Sequence, residues 1–334
     1  MTILVTGGAG FIGHHMIYNL LDHGHAVVAL DDLSTGHGWA VPGQATLIVG
    51  DSGDKALVGR IIDEHGVTAI FHFAGSIVVP DSVADPLGYY FNNTVKSHAL
   101  IETAVKHGVR HFVLSSTAAV YGTYNAEPVS EDTALDPASP YGRSKLMTEM
   151  MLRDACSVSA MSYGILRYFN VAGADPAGRG GQSSKVSTHL IKIACEVAVN
   201  RRDHLSIFGT DYPTADGTCI RDYIHVSDLA DVHRLTLQHL SDGGSSVTLN
   251  CGYGRGFSVR EVINRVERAA GKPLAIVEAA RRDGDQAVII ADPSRAMDLL
   301  DWTPRFDDLG LIVGHALDWE RKLLFRNRTE SDDR

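Results

Sequence analysis

The sequence predicts an α/β protein: a doubly wound parallel sheet followed by a smaller, less regular C-terminal lobe. Three observations lead there. Short apolar runs alternate with amphipathic stretches through the first half of the chain. Those runs are near-continuous in Val, Ile, Leu and Phe, which is the pattern of parallel strands covered on both faces. A glycine-rich turn, TGGAGFIG, joins the first run directly to the first amphipathic stretch.

Taken in order, the apolar runs at 3–6, 26–30, 46–49, 69–73, 111–115 and 164–168 read as strands, and 11–23, 55–65, 85–107 and 141–155 as helices. This βαβα order predicts a Rossmann domain over residues 1–170. From residue 171 the texture changes. Gly, Asp, Pro and Ser cluster at 173–184 and 209–218, as expected for loops of a substrate-binding lobe over 171–334. Within it 187–199 and 258–270 read as helices, and 225–240 as a helix approached by a strand. A segment of about 223–250 is expected to return to the first domain, and the charged tail from 326 onward to fray.

Composition excludes several classes. Hydrophobic residues at 44% and charged residues at 21% rule out disordered and fibrous chains. A net charge of −10 gives no general pull toward nucleic acid or an anionic membrane, so an anionic small substrate needs a local basic cluster. No apolar run approaches the ~18 residues that span a bilayer. The N-terminus enters a strand pattern with no basic region, so no signal peptide is expected. Cys156, Cys195, Cys219 and Cys251 are too widely spaced for a zinc or redox pair and are expected as reduced thiols in a cytoplasmic protein. None of the 16 histidines stands in a metal-ligand pattern, His14 and His15 included, and no metal is expected.

The turn carries glycines at 7, 8, 10 and 13. Such glycines let a backbone approach a pyrophosphate, which the following helix N-terminus then attracts. Asp31 stands 18 residues beyond Gly13, close to the ~20 expected for an acid on a ribose hydroxyl, and favours NAD over NADP. Asp32 is either a second ribose contact or a solvated loop charge. Asp51 is either an adenine-side contact or a loop cap.

Ser115, Ser116 and Thr117 end the fifth strand, at the edge where open α/β sheets build their sites. Ser139 and Pro140 then start a helix that carries Tyr141 and Lys145 four apart, on one face. A phenol titrates near 10, so acting as a base at neutral pH needs roughly 4 kcal/mol of preference for the phenolate. The lysine ammonium together with a nicotinamide cation could supply it. A chance Tyr-x-x-x-Lys is common, but one that follows strand-end hydroxyls and a nucleotide turn reads as catalytic.

These residues resemble the extended short-chain dehydrogenase/reductase superfamily. HFAG at 72–75, SSTAAVYG at 115–122, SPYGRSKLMTE at 139–149, RYFN at 167–170, IFGTDYPTADGTCIRDYIHVSDLA at 207–230 and RRDGD at 281–285 narrow the resemblance to its UDP-glucose 4-epimerase family, over nearly the whole chain. The resemblance implies an NAD-dependent isomerase that works through a 4-keto sugar. In it Tyr141 exchanges the proton of the 4-hydroxyl, Thr117 bonds the same oxygen, and Lys145 depresses the phenol and holds the nicotinamide ribose. It implies a cofactor set of Gly7, Gly10, Phe11, Ile12, Gly13, Asp31, Asp32, Asp51, Ser52, Phe73, Ala74, Gly75, Asn92, Tyr141, Lys145 and Phe169.

For the UDP-sugar it implies Thr117, Tyr141, Asn170, His189, Leu190, Phe208, Arg221, Arg282 and Asp285. The two arginines would meet the diphosphate, Asp285 the uridine ribose and Phe208 the uracil. A structural salt bridge is the alternative for Arg221, and plain core packing for Phe208.

The chain departs from the family at four points, one of them Thr117, which replaces the serine of the catalytic strand and keeps the hydroxyl. Ile77 replaces a cofactor-side lysine. His189 replaces the asparagine of an Asn-Leu pair. Ile289 occupies the position that admits or excludes a 2-acetamido group; it is smaller than the Tyr that excludes the group yet not small, and acceptance of N-acetylated sugars stays open. Rival readings weaken on the residues: Ala118 and Ala119 stand where 4,6-dehydratases carry acids, and the intact Tyr–Lys pair argues against a non-catalytic NAD sensor. Epimerisation of another UDP-sugar (N-acetylglucosamine, arabinose or glucuronate) stays open. The family also implies a homodimer through helices 85–107 and 141–155, with Tyr89, Leu100, Met147 and Met151 as apolar contacts. Core packing is the alternative for Met147, Met150 and Met151.

Overall fold

The computed structural model describes residues 1–122, 128–184, 187–282 and 285–332. Its first half runs β1 (Thr2–Thr6), α1 (Phe11–Asp22), β2 (Ala26–Asp31), β3 (Thr46–Val49), α2 (Lys55–His65), β4 (Val67–His72), α3 (Val79–Ala84), α4 (Pro86–Tyr89), α5 (Lys96–Lys106), β5 (His111–Thr117), α6 (Pro140–Ser157) and β6 (Ser162–Tyr168). Then come β7 (Asn170–Ala172), α7 (Leu190–Ala198), β8 (Leu205–Phe208), β9 (Ile220–His225), α8 (Val226–Ser241), β10 (Val247–Cys251), β11 (Gly256–Ser258), α9 (Val259–Ala270), β12 (Ile276–Ala279), β13 (Val288–Ile289), α10 (Ser294–Leu300) and α11 (Leu309–Asp332).

The expected doubly wound sheet is present. Seven parallel strands lie in the order β10-β6-β5-β4-β1-β2-β3. The order reverses between β1 and β4, which opens a crevice at their C-terminal ends, where ligands of such sheets bind. One face packs Met16, Ile17 and Leu20 of α1 with Leu229, Val232 and Leu237 of α8. The other packs Val58, Ile61 and Ile62 of α2 with Leu100 and Ala104 of α5 and Leu152 of α6. A third core joins α7, α9 and α11 around Ile191, Cys195, Val262, Val266, Ile312 and Val313. Smaller sheets carry that region: β9 pairs with β7, β11 and β13, and β8 with β12. Because β7 follows β6 after a single residue, this second assembly hangs from the C-terminal edge of the large sheet.

Local chemistry sets the helix ends. Asp54 accepts the Ala56 and Leu57 amides at 3.0 Å to start α2. Ser258 and Glu261 form a reciprocal capping box on α9.

Two expectations are corrected here. The helix expected over 85–107 is interrupted. After α4 the backbone winds as a π-helix over Tyr90–Val95 before α5 begins, a distortion that apolar periodicity does not signal. The dimer contacts also sort differently. Leu100 and Tyr89 are buried and Met151 packs into the core, whereas Met147 and Met150 are exposed. Exposed apolar side chains on the same flank are instead Val83, Leu87, Phe91 and Val95. The backbone of α11 runs to Asp332. No helix among the described residues is long and apolar enough to cross a membrane.

Candidate active site

The glycine turn is built by close approach. Gly7 leaves β1 at φ +69°, and a Cβ there would sit 2.7 Å from the Ala74 amide nitrogen. A Cβ on Gly13 would overlap the Gly7 carbonyl oxygen, so α1 can lie this close to β1 only with glycine there. Gly10 opens α1, and no side chain caps it. The first-turn amides of Phe11, Ile12 and Gly13 are therefore left for an anion, and the chain supplies the cradle that a dinucleotide pyrophosphate requires.

Asp31 anchors this turn. It is buried and accepts the amides of Ala9 at 2.9 Å and Leu33 at 2.8 Å; burial raises its pKa against those two bonds. Asp32 is exposed, with one oxygen taken by the Ser34 amide and hydroxyl. Asp51 pairs with Lys96 at 2.8 Å and accepts the Gly53 amide, and Ser52 beside it is buried. Phe73 extends β4 by donating its amide to the Thr6 carbonyl and stacks beside Phe71. Past Ala74 and Gly75, the π-helical turn delivers two asparagines to Ser76. Asn92 donates to the Ser76 hydroxyl at 2.9 Å. Asn93, which sequence reasoning missed, accepts the Ser76 amide and donates to the Ser76 carbonyl and to Ser144 of α6.

The three strand-end hydroxyls part company. Ser115 is hydrogen-bonded to the Tyr168 hydroxyl, and Ser116 donates to Glu149 at 2.5 Å. Thr117 alone hydrogen-bonds Tyr141, while its Oγ1 also accepts the Ala119 amide at 3.1 Å. Ser139 and Pro140 start α6 as expected, the Ser139 hydroxyl accepting the Gly142 amide. Tyr141 and Lys145 are both buried on it.

Burial dominates the electrostatics of both groups. Burial pushes the Tyr141 phenol up. The Thr117 hydrogen bond offsets part of this, and Tyr89 adds to it. Burial lowers the Lys145 ammonium to about 8, opposed by the negative charge of Glu149. With the phenol raised by burial, acting as a base at neutral pH needs positive charge close to Tyr141.

The basic cluster expected for an anionic ligand is assembled on the second lobe. Arg221 of β9 lies 3.7 Å from Asp285, and Arg282 donates to the other Asp285 oxygen at 2.9 Å. The Arg282 guanidinium stands 4.8 Å over the Phe208 ring, which is 39% exposed and so not core packing. Asn170 opens β7 and donates to the Asp222 carbonyl at 3.2 Å, and Phe169 packs beside Val120 and Tyr121. His189 precedes Leu190, the first residue of α7. Its Nδ1 lies 3.0 Å from the Gln182 amide, another residue that sequence reasoning missed. Ile289 pairs in register with Arg221, and Ile77 is exposed. No metal-binding group of His, Cys, Asp or Glu occurs among the described residues.

The "NAD dependent epimerase/dehydratase family" matches residues 3–252 of the chain. A UDP-glucose 4-epimerase of Azospirillum brasilense is 53% identical over 96% of this chain and 92% of its own. The solved UDP-glucose 4-epimerase of Brucella ovis in complex with NAD superposes with a TM-score of 0.92 at 40% identity, covering 95% of this chain and 97% of that one. The UDP-Glc/GlcNAc 4-epimerase of Campylobacter jejuni superposes at 0.83 with 44% identity, over 96% and 99%.

Proposed function

The chain belongs to the NAD dependent epimerase/dehydratase family, and on that premise we propose that it is a UDP-hexose 4-epimerase interconverting UDP-glucose and UDP-galactose. The observation that carries the reading is a buried Tyr141 hydrogen-bonded to Thr117 and followed by Lys145, at the sheet edge where the glycine turn opens. Bound NAD supplies a hydride acceptor that becomes the donor, so C4 passes through a ketone with no net redox change. It would lie along Gly7–Gly13 with Asp31 at a ribose, and Phe73, Asn92 and Phe169 along its course.

The chain's own residues do the rest. Tyr141 takes the proton from the 4-hydroxyl and returns it, while Thr117 holds the same oxygen. The Lys145 ammonium contributes positive charge beside the phenol without a competing side-chain partner among the described residues. Arg221 and Arg282 bind the diphosphate, and Asp285 then exchanges part of its ion pairing for a ribose hydroxyl. Phe208 offers an exposed face to the base, and the hydrogen bond from Gln182 leaves the ring N–H of His189 on Nε2 for a carbonyl.

A second substrate class rests on Ile289. An Ile side chain leaves more room than a Tyr, and the Campylobacter jejuni relative is described as acting on both Glc and GlcNAc forms. The experiment is turnover of purified holoenzyme on UDP-galactose and on UDP-N-acetylgalactosamine, without added cofactor, beside Tyr141→Phe. Turnover that survives in Tyr141→Phe rejects the proton-transfer assignment, and accumulation of a keto sugar or loss of water rejects epimerisation.

We further take the active form as a homodimer. Val83, Leu87, Phe91 and Val95 line one flank, with Met147 and Met150 on α6, which packs against the π-helical turn. Apolar side chains gathered on one flank in this way are the kind of surface through which subunits associate. Four free cysteines fit a cytoplasmic, reducing location.

A further inference from the structure

Beneath the catalytic helix lies a fully buried carboxylate. Glu149 stands one turn beyond Lys145, so Tyr141, Lys145 and Glu149 follow one another along one face of α6. Its Oε1 accepts from Ser116 at 2.5 Å and from Arg167 Nε at 2.9 Å. Its Oε2 accepts from Arg167 Nη2 at 2.6 Å and from Arg153 at 3.2 Å. Ser116 and Arg167 are register partners on β5 and β6, and the next pair in that register is Thr117 with Tyr168. One carboxylate thus ties α6 to both strands at the position immediately before the hydroxyl that meets Tyr141.

A buried ion pair is not needed for stability here, since well-packed apolar residues of similar volume usually serve as well. Apolar residues would give neither a directional anchor nor a negative charge beside Lys145. Glu149 is the negative charge that favours that ammonium.

We propose that Glu149 is a positioning residue for the reaction: it fixes the Tyr141–Lys145 face against Thr117 and sets its negative charge one helical turn from the Lys145 ammonium. The proposal rests on the assignment of proton transfer to Tyr141 and Lys145. The surrounding groups are accounted for. His72 of β4 is neutral between Thr6 and Ser97. Tyr89 of α4 lies beside Asp81 and Asp85. Lys96 of α5 is paired with Asp51, and Tyr121 is bonded to Arg167 and Asn250.

The test is the pH profile of kcat for holoenzyme carrying Glu149→Gln or Arg153→Gln. Glu149→Gln keeps the shape and removes the charge, so the alkaline limb should move down by about one pH unit, with bound NAD unchanged. Arg153→Gln, at a half-buried position, removes a cation that competes for Glu149, so the limb should move up by some tenths of a unit. A merely structural carboxylate predicts no shift in either variant. Limbs that stay within about 0.2 unit of the parent overturn the proposal, as does a loss from Glu149→Gln that is uniform with pH. If Glu149→Gln does not fold, the absence of an upward shift in Arg153→Gln overturns it alone. Tyr141→Phe separates the two levels: an inactive Tyr141→Phe beside unshifted limbs rejects Glu149 only, whereas an active one rejects the underlying assignment.

Discussion

His72 should cost the folded protein about 2 kcal/mol of stability when the pH falls from 7 to 5. The ring sits in a chain of buried hydrogen bonds whose direction is fixed. The Ser97 hydroxyl donates to the Asn93 carbonyl at 2.5 Å, so Ser97 Oγ must accept from His72 Nε2–H at 2.8 Å. His72 Nδ1 must then accept the Thr6 hydroxyl at 2.7 Å. A second ring proton would break that last bond. Burial, helped by the charge of Lys145, lowers the pKa from 6.5 to about 3. At pH 7 the folded chain leaves this ring neutral and the unfolded chain protonates it only in part. Below 6.5 the unfolded chain gains a proton that the folded one refuses, so stability falls with pH until about 3. Over the ~1.5 units from 6.5 to 5, at ~1.36 kcal/mol per unit, the loss is about 2 kcal/mol. Urea unfolding at fixed protein concentration, at pH 7 and pH 5, measures it in the parent and in His72→Asn. The parent loses more than this one share, because His225 and His233 are held neutral by burial in the same way. The variant should lose less than the parent by about 2 kcal/mol. Equal losses in the two would refute the reasoning.

Gly13→Ala places a methyl group on the Gly7 carbonyl, so the purified variant should carry little or no NAD; cofactor content measured after acid release checks this. Arg221→Ala removes one of two cations beside Asp285 and should raise KM for the UDP-sugar about 10- to 100-fold with a smaller effect on kcat, read from initial rates. Tyr141→Phe should lower kcat by about 10²- to 10⁴-fold while NAD stays bound, read from turnover and cofactor content together. Phe91→Asp puts a charge in the exposed apolar flank and should give a monomer in sedimentation at micromolar concentration; an unchanged assembly would move the interface elsewhere.

Much of this molecule was legible because its signals are local. The continuous apolar runs mark β1, β2, β4 and β5, each buried on both faces. Gly7, Gly10 and Gly13 stand out because a backbone turn has few alternatives, and Tyr141 with Lys145 because a helix fixes their spacing. Other features depend on contacts between distant segments. Nothing in SST distinguishes Thr117 from Ser115 and Ser116; only the partners Tyr168 and Glu149 do. The π-helical turn lies inside a stretch whose apolar spacing reads as ordinary helix, yet it places Asn93 against Ser76 and Ser144. Glu149 and Arg167 look like unremarkable charges until β6 carries one under the other. The short pairings of β7, β11 and β13 with β9 give too few residues for any periodicity.

The position of β10 has a consequence for biosynthesis. This strand closes the outer edge of the large sheet against β6, yet about 80 residues, α8 among them, lie between the two strands in the chain. At roughly 5–20 residues per second, the ribosome leaves the β6 edge without its neighbour for about 4 to 16 seconds. During that interval the nascent protein presents a flat row of unpaired amides and carbonyls beside Ile165 and Leu166, the kind of template that recruits other chains. Slowing translation between residues 171 and 246 should therefore increase aggregation during expression, whereas slowing it once β10 has left the ribosome should not.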